Sequence, residues 1–150
     1  DAELHILGEG YMQQPILFTI HDLGLTGRVY MHGRVTPEEV REHLQTSDVF
    51  VLSSLSEGIS NAVLEAMSCG LPVVSTDCGG MSEAISDGVE GFLVPLRDPK
   101  AMADALFKLS VNADLRQTMG MASRELVLKQ FQLDDQINAF IDLLNSIVVQ

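Results

Sequence analysis

The chain has 150 residues, 46% of them apolar and 20% charged, with a formal net charge of −12, two Cys and no Trp. That length and apolar content exclude a disordered segment and suit one domain with a real core, while the acidic balance argues against unassisted binding to nucleic acid or anionic membrane. No apolar run reaches the ~18 residues that span a bilayer, no basic-then-apolar leader opens the chain, and Cys69 and Cys78 make no disulfide framework, so a reducing, cytoplasmic setting is expected.

Asp1 is not an initiator Met and the apolar pattern is already running at Leu4, Ile6 and Leu7, so the sequence reads as a piece of something longer. From there the period alternates between short β-rich runs and helical stripes. A strand over Leu4–Leu7 precedes a helix over Gln14–Leu23, and a strand over Arg28–His32 precedes a helix over Pro37–Gln45. Thr36 before Pro37, with Glu39 three residues after the Thr, is a capping box with Pro at the first helical position. Strands at Val49–Leu52, Pro72–Ser75 and Gly91–Val94 then alternate with helices at Asn61–Cys69 and Met81–Ser86.

After Val94 the strands stop. Asp98-Pro99 reads as an N-cap and first-position pair for a helix with Met102, Ala105, Leu106 and Leu109 on one stripe. A helix over Ala113–Lys129 follows, and a last one over Asp134–Val148 carries Ile137, Phe140, Ile141, Leu144 and Val148 on one face. Strict alternation with short connections predicts an α/β fold, a Rossmann-like open parallel sheet with helices on both faces. In such sheets ligands bind at the carboxyl ends of the strands, where Gly8–Gly10, Gly33–Thr36, Ser53–Ser60 and Thr76–Gly80 fall.

The stretch from Ser53 to Glu65 is the most informative. A loop with one glycine leads into a helix whose Val63, Ala66, Met67 and Gly70 face the sheet, while Asn61, Glu65 and Ser68 form a polar stripe. The N–H groups of Ile59 to Ala62 are placed to favour an anion in the crevice. Glu57 stands just before that helix and Glu65 roughly 7 Å along its axis. An ionised carboxylate only accepts hydrogen bonds, so its partners are hydroxyls rather than the anion itself. A phosphate flanked by two polyols, as in a nucleoside diphosphate sugar, fits that layout. On spacing alone a solvated loop Glu57 and an exposed helical Glu65 remain the plainer alternative.

The series Glu57-Gly58-Ile59-Ser60, Glu65-Ala66-Met67, Cys69-Gly70-Leu71-Pro72-Val73-Val74, Gly79-Gly80, Glu83, Asp87-Gly88, Gly91-Phe92-Leu93-Val94-Pro95 and Asp98-Pro99 resembles the retaining glycosyltransferases of family four. The resemblance covers nearly the whole chain with order and spacing kept. It implies the C-terminal, donor-binding half of a GT-B architecture truncated at its start. Residues 1–130 would form a donor-nucleotide-sugar domain lacking its first strand and helix, and residues 131–150 a helix packing toward an absent N-terminal domain. Residue by residue, it implies that Glu57 contacts the donor sugar at the reacting end and Glu65 holds the ribose hydroxyls. The backbone of Gly58, Ile59, Ser60 and Asn61 would bind the diphosphate and sugar, and Val35 and Pro37 would line the base.

The implied reaction is glycosyl transfer with retention from a nucleotide sugar to a glycan or lipid-linked hydroxyl acceptor, in polysaccharide or glycolipid synthesis. No cofactor or metal is required, and the parent enzyme is cytoplasmic, with peripheral contact at the membrane face an option. The acceptor would bind through the absent N-terminal domain.

Two departures qualify this. Where the family often has a second glycine, this chain has Ser60, strained if the backbone needs positive φ but favourable as an N-cap. The family supplies an Arg and a Lys to the diphosphate from a region this chain does not contain, and none of its nine basic residues lies between Arg41 and Arg97. Weak donor binding and no activity are therefore expected of this piece alone. A non-catalytic α/β interaction module and a GT-B nucleotide-sugar epimerase are the competing readings.

The remaining residues have plainer expectations. Gly79-Gly80 serves either close approach to a ligand or a tight turn, and Glu83 a cap or local ion pair more readily than a ligand contact. Cys69 and Cys78 read as inert core thiols. His5, His21, His32 and His43 show no metal-ligand spacing, and Gly8-x-Gly10 lacks the third glycine of a dinucleotide fingerprint. The last helix has an apolar face and no basic one, which disfavours membrane binding and leads to an expectation of dimers.

Overall fold

Every run with a period near two becomes a strand and every stripe with a period near 3.6 becomes a helix. The computed structural model describes residues 2–148, in the order β1 (Leu4–Leu7), α1 (Gln13–Asp22), β2 (Val29–Gly33), α2 (Pro37–Thr46), β3 (Phe50–Leu52), α3 (Asn61–Ser68), β4 (Val73–Thr76), α4 (Met81–Ala84), β5 (Gly91–Val94), α5 (Pro99–Ser110), α6 (Ala113–Gln130) and α7 (Leu133–Val148). The side chain of Val148, expected on the apolar face of the last helix, lies outside that description, as do Asp1, Val149 and Gln150. Boundaries differ from the sequence expectation by a residue or two. The largest difference is at α4, which stops at Ala84 because Ile85 turns to extended backbone.

The described residues form two compact units, one ending at Gln45 and one beginning at Thr46. All strand ladders among them are parallel, as expected, and they make a two-stranded sheet β1-β2 and a three-stranded sheet β3-β4-β5.

In the first unit β1 and β2 pair Leu4 with Val29, His5 with Tyr30 and Ile6 with Met31. The capping box at α2 is formed in both directions. The Thr36 N–H donates to the Glu39 carboxylate at 2.7 Å, and the Glu39 N–H donates to the Thr36 hydroxyl at 3.3 Å. The backbone bond and then the side-chain bond from Thr36 hold the Glu39 carboxyl below its ordinary pKa.

In the second unit β4 is buried along its whole length, and its alternation splits the core in two. Val73 faces a cluster with Val63 and Met67 of α3, Met81 and Ala84 of α4, and Leu126 and Val127 of α6. Val74 faces the other way, onto Val94, Ala105 and Leu109 of α5, and Met119 of α6. Helices thus cover both faces of this sheet, and α6 is long enough to serve both clusters. Each fully buried aliphatic side chain contributes about 1.5–3 kcal/mol of transfer free energy.

Three polar devices fix the helices. Asp98 caps α5 by accepting from the Ala101 N–H at 2.9 Å, with Pro99 at the first position, as the sequence predicts. Arg116 donates to the carbonyls of Leu109 and Ser110 at the end of α5, and Arg124 donates to the Ser68 carbonyl at the end of α3, each placing a cation where the helix dipole is negative. Glu90, only 6% exposed, binds the Ser86 N–H through its carboxylate, and its carbonyl accepts from both the Val73 N–H and the Ser123 hydroxyl. Helices α3 and α6 meet at Gly120, where a Cβ would lie 2.1 Å from the Gly70 carbonyl oxygen.

Helix α7 leaves Ile137, Phe140, Ile141 and Leu144 exposed. Among the described residues no helix is long and apolar enough to cross a membrane.

Met67 is fully buried between α3 and β4, so Met67→Ala is expected to cost about 2–5 kcal/mol in urea unfolding. Truncating half-exposed Leu128 on α6 should stay within about 1 kcal/mol in the same measurement.

Candidate functional site

The carboxyl end of β3 runs into the loop Ser53–Ser60, which delivers the chain to α3. Three contacts hold that loop. The Ser54 hydroxyl donates to Glu57 Oε1 at 2.8 Å, fixing the carboxylate from within the loop. The Thr76 hydroxyl, at the end of β4, donates to the Ser54 carbonyl at 2.6 Å. Gly79 then packs against the backbone at Glu57, where a Cβ on Gly79 would lie 1.6 Å from the Glu57 carbonyl oxygen. Its φ of +57° adds a second reason for glycine. Gly80 lies against Gly58 and Ile59 with ordinary negative φ, a Cβ there reaching 3.3 Å from the nearest backbone atom.

Glu57 is half-buried, with one carboxylate oxygen committed to Ser54 and the other making no hydrogen bond among the described residues. Gly58 is exposed, Ile59 half-buried, and Ser60 buried with φ −72° and ψ 125°. Positive φ is therefore not required at Ser60, and the strain considered from the sequence does not arise. Ser60 does occupy the N-cap position, yet its hydroxyl makes no capping bond to the first turn of α3. The N–H groups of that turn are left for other acceptors.

Along α3 the two stripes separate as the spacing predicts. Val63, Ala66 and Met67 are buried against the sheet, whereas Asn61 and Glu65 are exposed and Ser68 is half-buried, its hydroxyl bonded to the Glu65 carbonyl at 2.7 Å. Glu57, Gly58, Ile59, Ser60, Asn61 and Glu65 thus lie on one continuous loop–helix segment of the second unit. Val35 and Pro37 belong to the first unit. Val35 is half-buried after β2, and Pro37 is the exposed first residue of α2.

Chemically, the segment offers backbone donors at a helix start and a carboxylate acceptor on either side of them. This suits an anion flanked by hydroxyl groups. Ser54, Thr76 and Gly79 are the residues that sequence reading did not assign to the site. The signal for Ser54 was present, a short hydroxyl three residues before Glu57. The contact of Gly79 with Glu57 spans 22 positions and had no local signal.

Among the other residues, Cys69 is a partly buried and Cys78 a buried free thiol. Glu83 is exposed in the first turn of α4. Histidines 5, 32 and 43, unrelated by spacing, come together in the first unit, with one ring nitrogen from each within 4.8 Å of the others.

The chain is similar to known proteins along most of its length. The family model described as Glycosyl transferases group 1 matches residues 1–112. N-acetyl-alpha-D-glucosaminyl L-malate synthase of Bacillus anthracis is 33% identical over 93% of this chain and 36% of its own length. The GDP-mannose-dependent alpha-(1-6)-phosphatidylinositol monomannoside mannosyltransferase of Mycobacterium tuberculosis is 30% identical over 97% of this chain and 40% of its own. The structure of an S. aureus TarM mutant, in complex with Fondaparinux, alpha-GlcNAc-glycerol and UDP, superposes with a TM-score of 0.89 at 28% identity, over 95% of this chain and 29% of that one. The chain therefore spans well under half the length of these relatives, and it matches part of a GT-B glycosyltransferase fold.

If Gly79 sets the loop, Gly79→Ala should lower stability by about 1–3 kcal/mol or more in urea unfolding, the range of an overpacked contact. Gly58→Ala, in open space with negative φ, should stay within about 0.5 kcal/mol.

Proposed function

Because the chain belongs to the Glycosyl transferases group 1 family, we propose that it is the donor half of a retaining glycosyltransferase, binding a nucleoside diphosphate sugar for transfer to a glycan or lipid-linked hydroxyl. The observation that carries this reading is the segment from Glu57 to Glu65, with helix-start N–H groups that the Ser60 side chain leaves uncapped between two carboxylate acceptors. The UDP in the TarM complex and the GDP-mannose in the mycobacterial relative's name support a nucleotide-sugar donor while differing in the base. Retention rests on the family motif series alone.

In this reading Glu57 accepts from donor-sugar hydroxyls through the oxygen that Ser54 leaves open, and Glu65 accepts from the ribose diol. The backbone of Gly58, Ile59, Ser60 and Asn61 faces the diphosphate and sugar. As the bond to the anomeric carbon breaks, negative charge grows on the departing diphosphate, where fixed N–H donors stabilise it. Neither carboxylate works as a glycosidase acid or nucleophile, since both serve as hydroxyl acceptors.

Counter-charge is the weak point. No Lys or Arg lies between positions 41 and 97, and helix dipoles contribute only about 0.3–1 kcal/mol each at exposed sites. The chain by itself binds donor weakly and is inactive, with the remaining cations and the acceptor site supplied by the rest of the enzyme. The enzyme works in the cytoplasm, in polysaccharide or glycolipid synthesis, without a cofactor.

A thermal-shift panel of nucleoside diphosphates and their sugars tests the donor site, run on this chain and on the full-length enzyme. The full-length protein should shift with one base, by about 2.7 kcal/mol at 100 times the dissociation constant, and Glu65→Ala should abolish the response. A folded full-length protein that shifts with no nucleotide would replace this reading with that of a non-catalytic interaction module. We further propose that the exposed apolar face of α7 pairs two copies of this chain in isolation. Sedimentation should then show a concentration-dependent dimer that Phe140→Ser returns to monomer.

A further inference from the structure

The first unit gathers three imidazoles that play no part in the donor site. His5 in β1 stands opposite Tyr30 in β2, and His32, two residues on from Tyr30, shares its face of the sheet. His43, near the end of α2, reaches the same place. The His5 and Tyr30 rings stack at 5.0 Å, those of His5 and His32 at 5.1 Å, and the His32 and His43 centroids are 4.4 Å apart. His5 Nδ1 lies 2.9 Å from His32 Nε2, and the three ligand nitrogens fall within 4.8 Å of one another.

We propose that His5, His32 and His43 bind one divalent transition-metal ion of the zinc class. Two imidazole nitrogens on a tetrahedral zinc, each about 2.0–2.1 Å from the metal, stand about 3.3 Å apart. The observed spacings bracket that value. His43 is half-buried, and the His5 and His32 rings are exposed.

One further detail fits a ligand role. Glu3 lies 3.6 Å from His5 Nε2, on the side away from His32, the position from which a carboxylate orients a metal-bound imidazole and selects Nδ1 as the ligating atom. Three nitrogen ligands favour zinc, copper(II), nickel or cobalt over the oxygen-seeking magnesium and calcium. Three protein ligands leave a fourth position to water. The ion would join β1, β2 and α2, elements that are 27 and 11 residues apart at the histidines.

Isothermal titration of the tag-free chain with zinc chloride at pH 7 tests this, with magnesium chloride as the parallel arm. The expected result is one equivalent of zinc bound and no magnesium. His32→Ala and His43→Gln should each weaken binding at least tenfold, Glu3→Gln by a few-fold, and His21→Ala, outside the cluster, not at all. Cobalt(II) should give the intense visible bands of a tetrahedral site, lost in His43→Gln. Circular dichroism establishes that each variant is folded. The absence of saturable one-to-one zinc binding, equal uptake of magnesium, or zinc affinity unchanged in folded His43→Gln would overturn the proposal.

Discussion

A Cβ on Gly79 would sit 1.6 Å from the Glu57 carbonyl oxygen, and the loop that presents the candidate donor site depends on that approach. The end of β4 and the turn after it serve as a template. Thr76 holds the Ser54 carbonyl, Gly79 receives the backbone at Glu57, and Gly80 lies under Gly58 and Ile59. Since these contacts are largely made to main-chain atoms, the position of Glu57 is set before its own side chain contributes anything. Ser54 then orients the carboxylate within the loop. The start of α3 inherits its direction from this arrangement and from the burial of Val63 and Met67 against β4.

Electrostatically the segment is unusual for a site that would meet a diphosphate, since its ionised side chains are acidic. The physical resolution is a division of labour. In the proposed reading main-chain N–H groups would meet the anion, and Glu57 and Glu65 would accept from the O–H groups of the flanking hydroxyls. Ser60 belongs to that logic. Its hydroxyl makes no capping bond to the first turn of α3 and does not compete for those donors.

Much of this was legible in the residues because it is governed by local rules. Thr36 with Glu39, and Asp98 with Pro99, announce helix starts through capping geometry that spans four residues, and both are formed. The alternation of Val73 and Val74 between two helical layers follows from the strand period. The stripe of Asn61, Glu65 and Ser68 follows from the helical one. What escaped depends on pairs far apart in the chain. Gly79 could have served a turn or a ligand, and only the fold shows that it serves the backbone of Glu57. The three histidines have no meaningful spacing until a parallel register sets His5 beside Tyr30. The division of the strands into two sheets is likewise a matter of which edges pair, about which residue periodicity says nothing.

The Glu90 carbonyl spends both of its lone pairs inside the protein, one on the Val73 N–H of the central strand and one on the Ser123 hydroxyl of the longest helix. Neither element can withdraw while that oxygen stays dry, since a buried acceptor stripped of a partner has no water to turn to. One peptide group therefore makes strand β4 and helix α6 thermodynamic hostages of each other. Fraying of α6 from the sheet therefore costs the Ser123 bond to that oxygen as well as the apolar contacts of Leu126 and Val127.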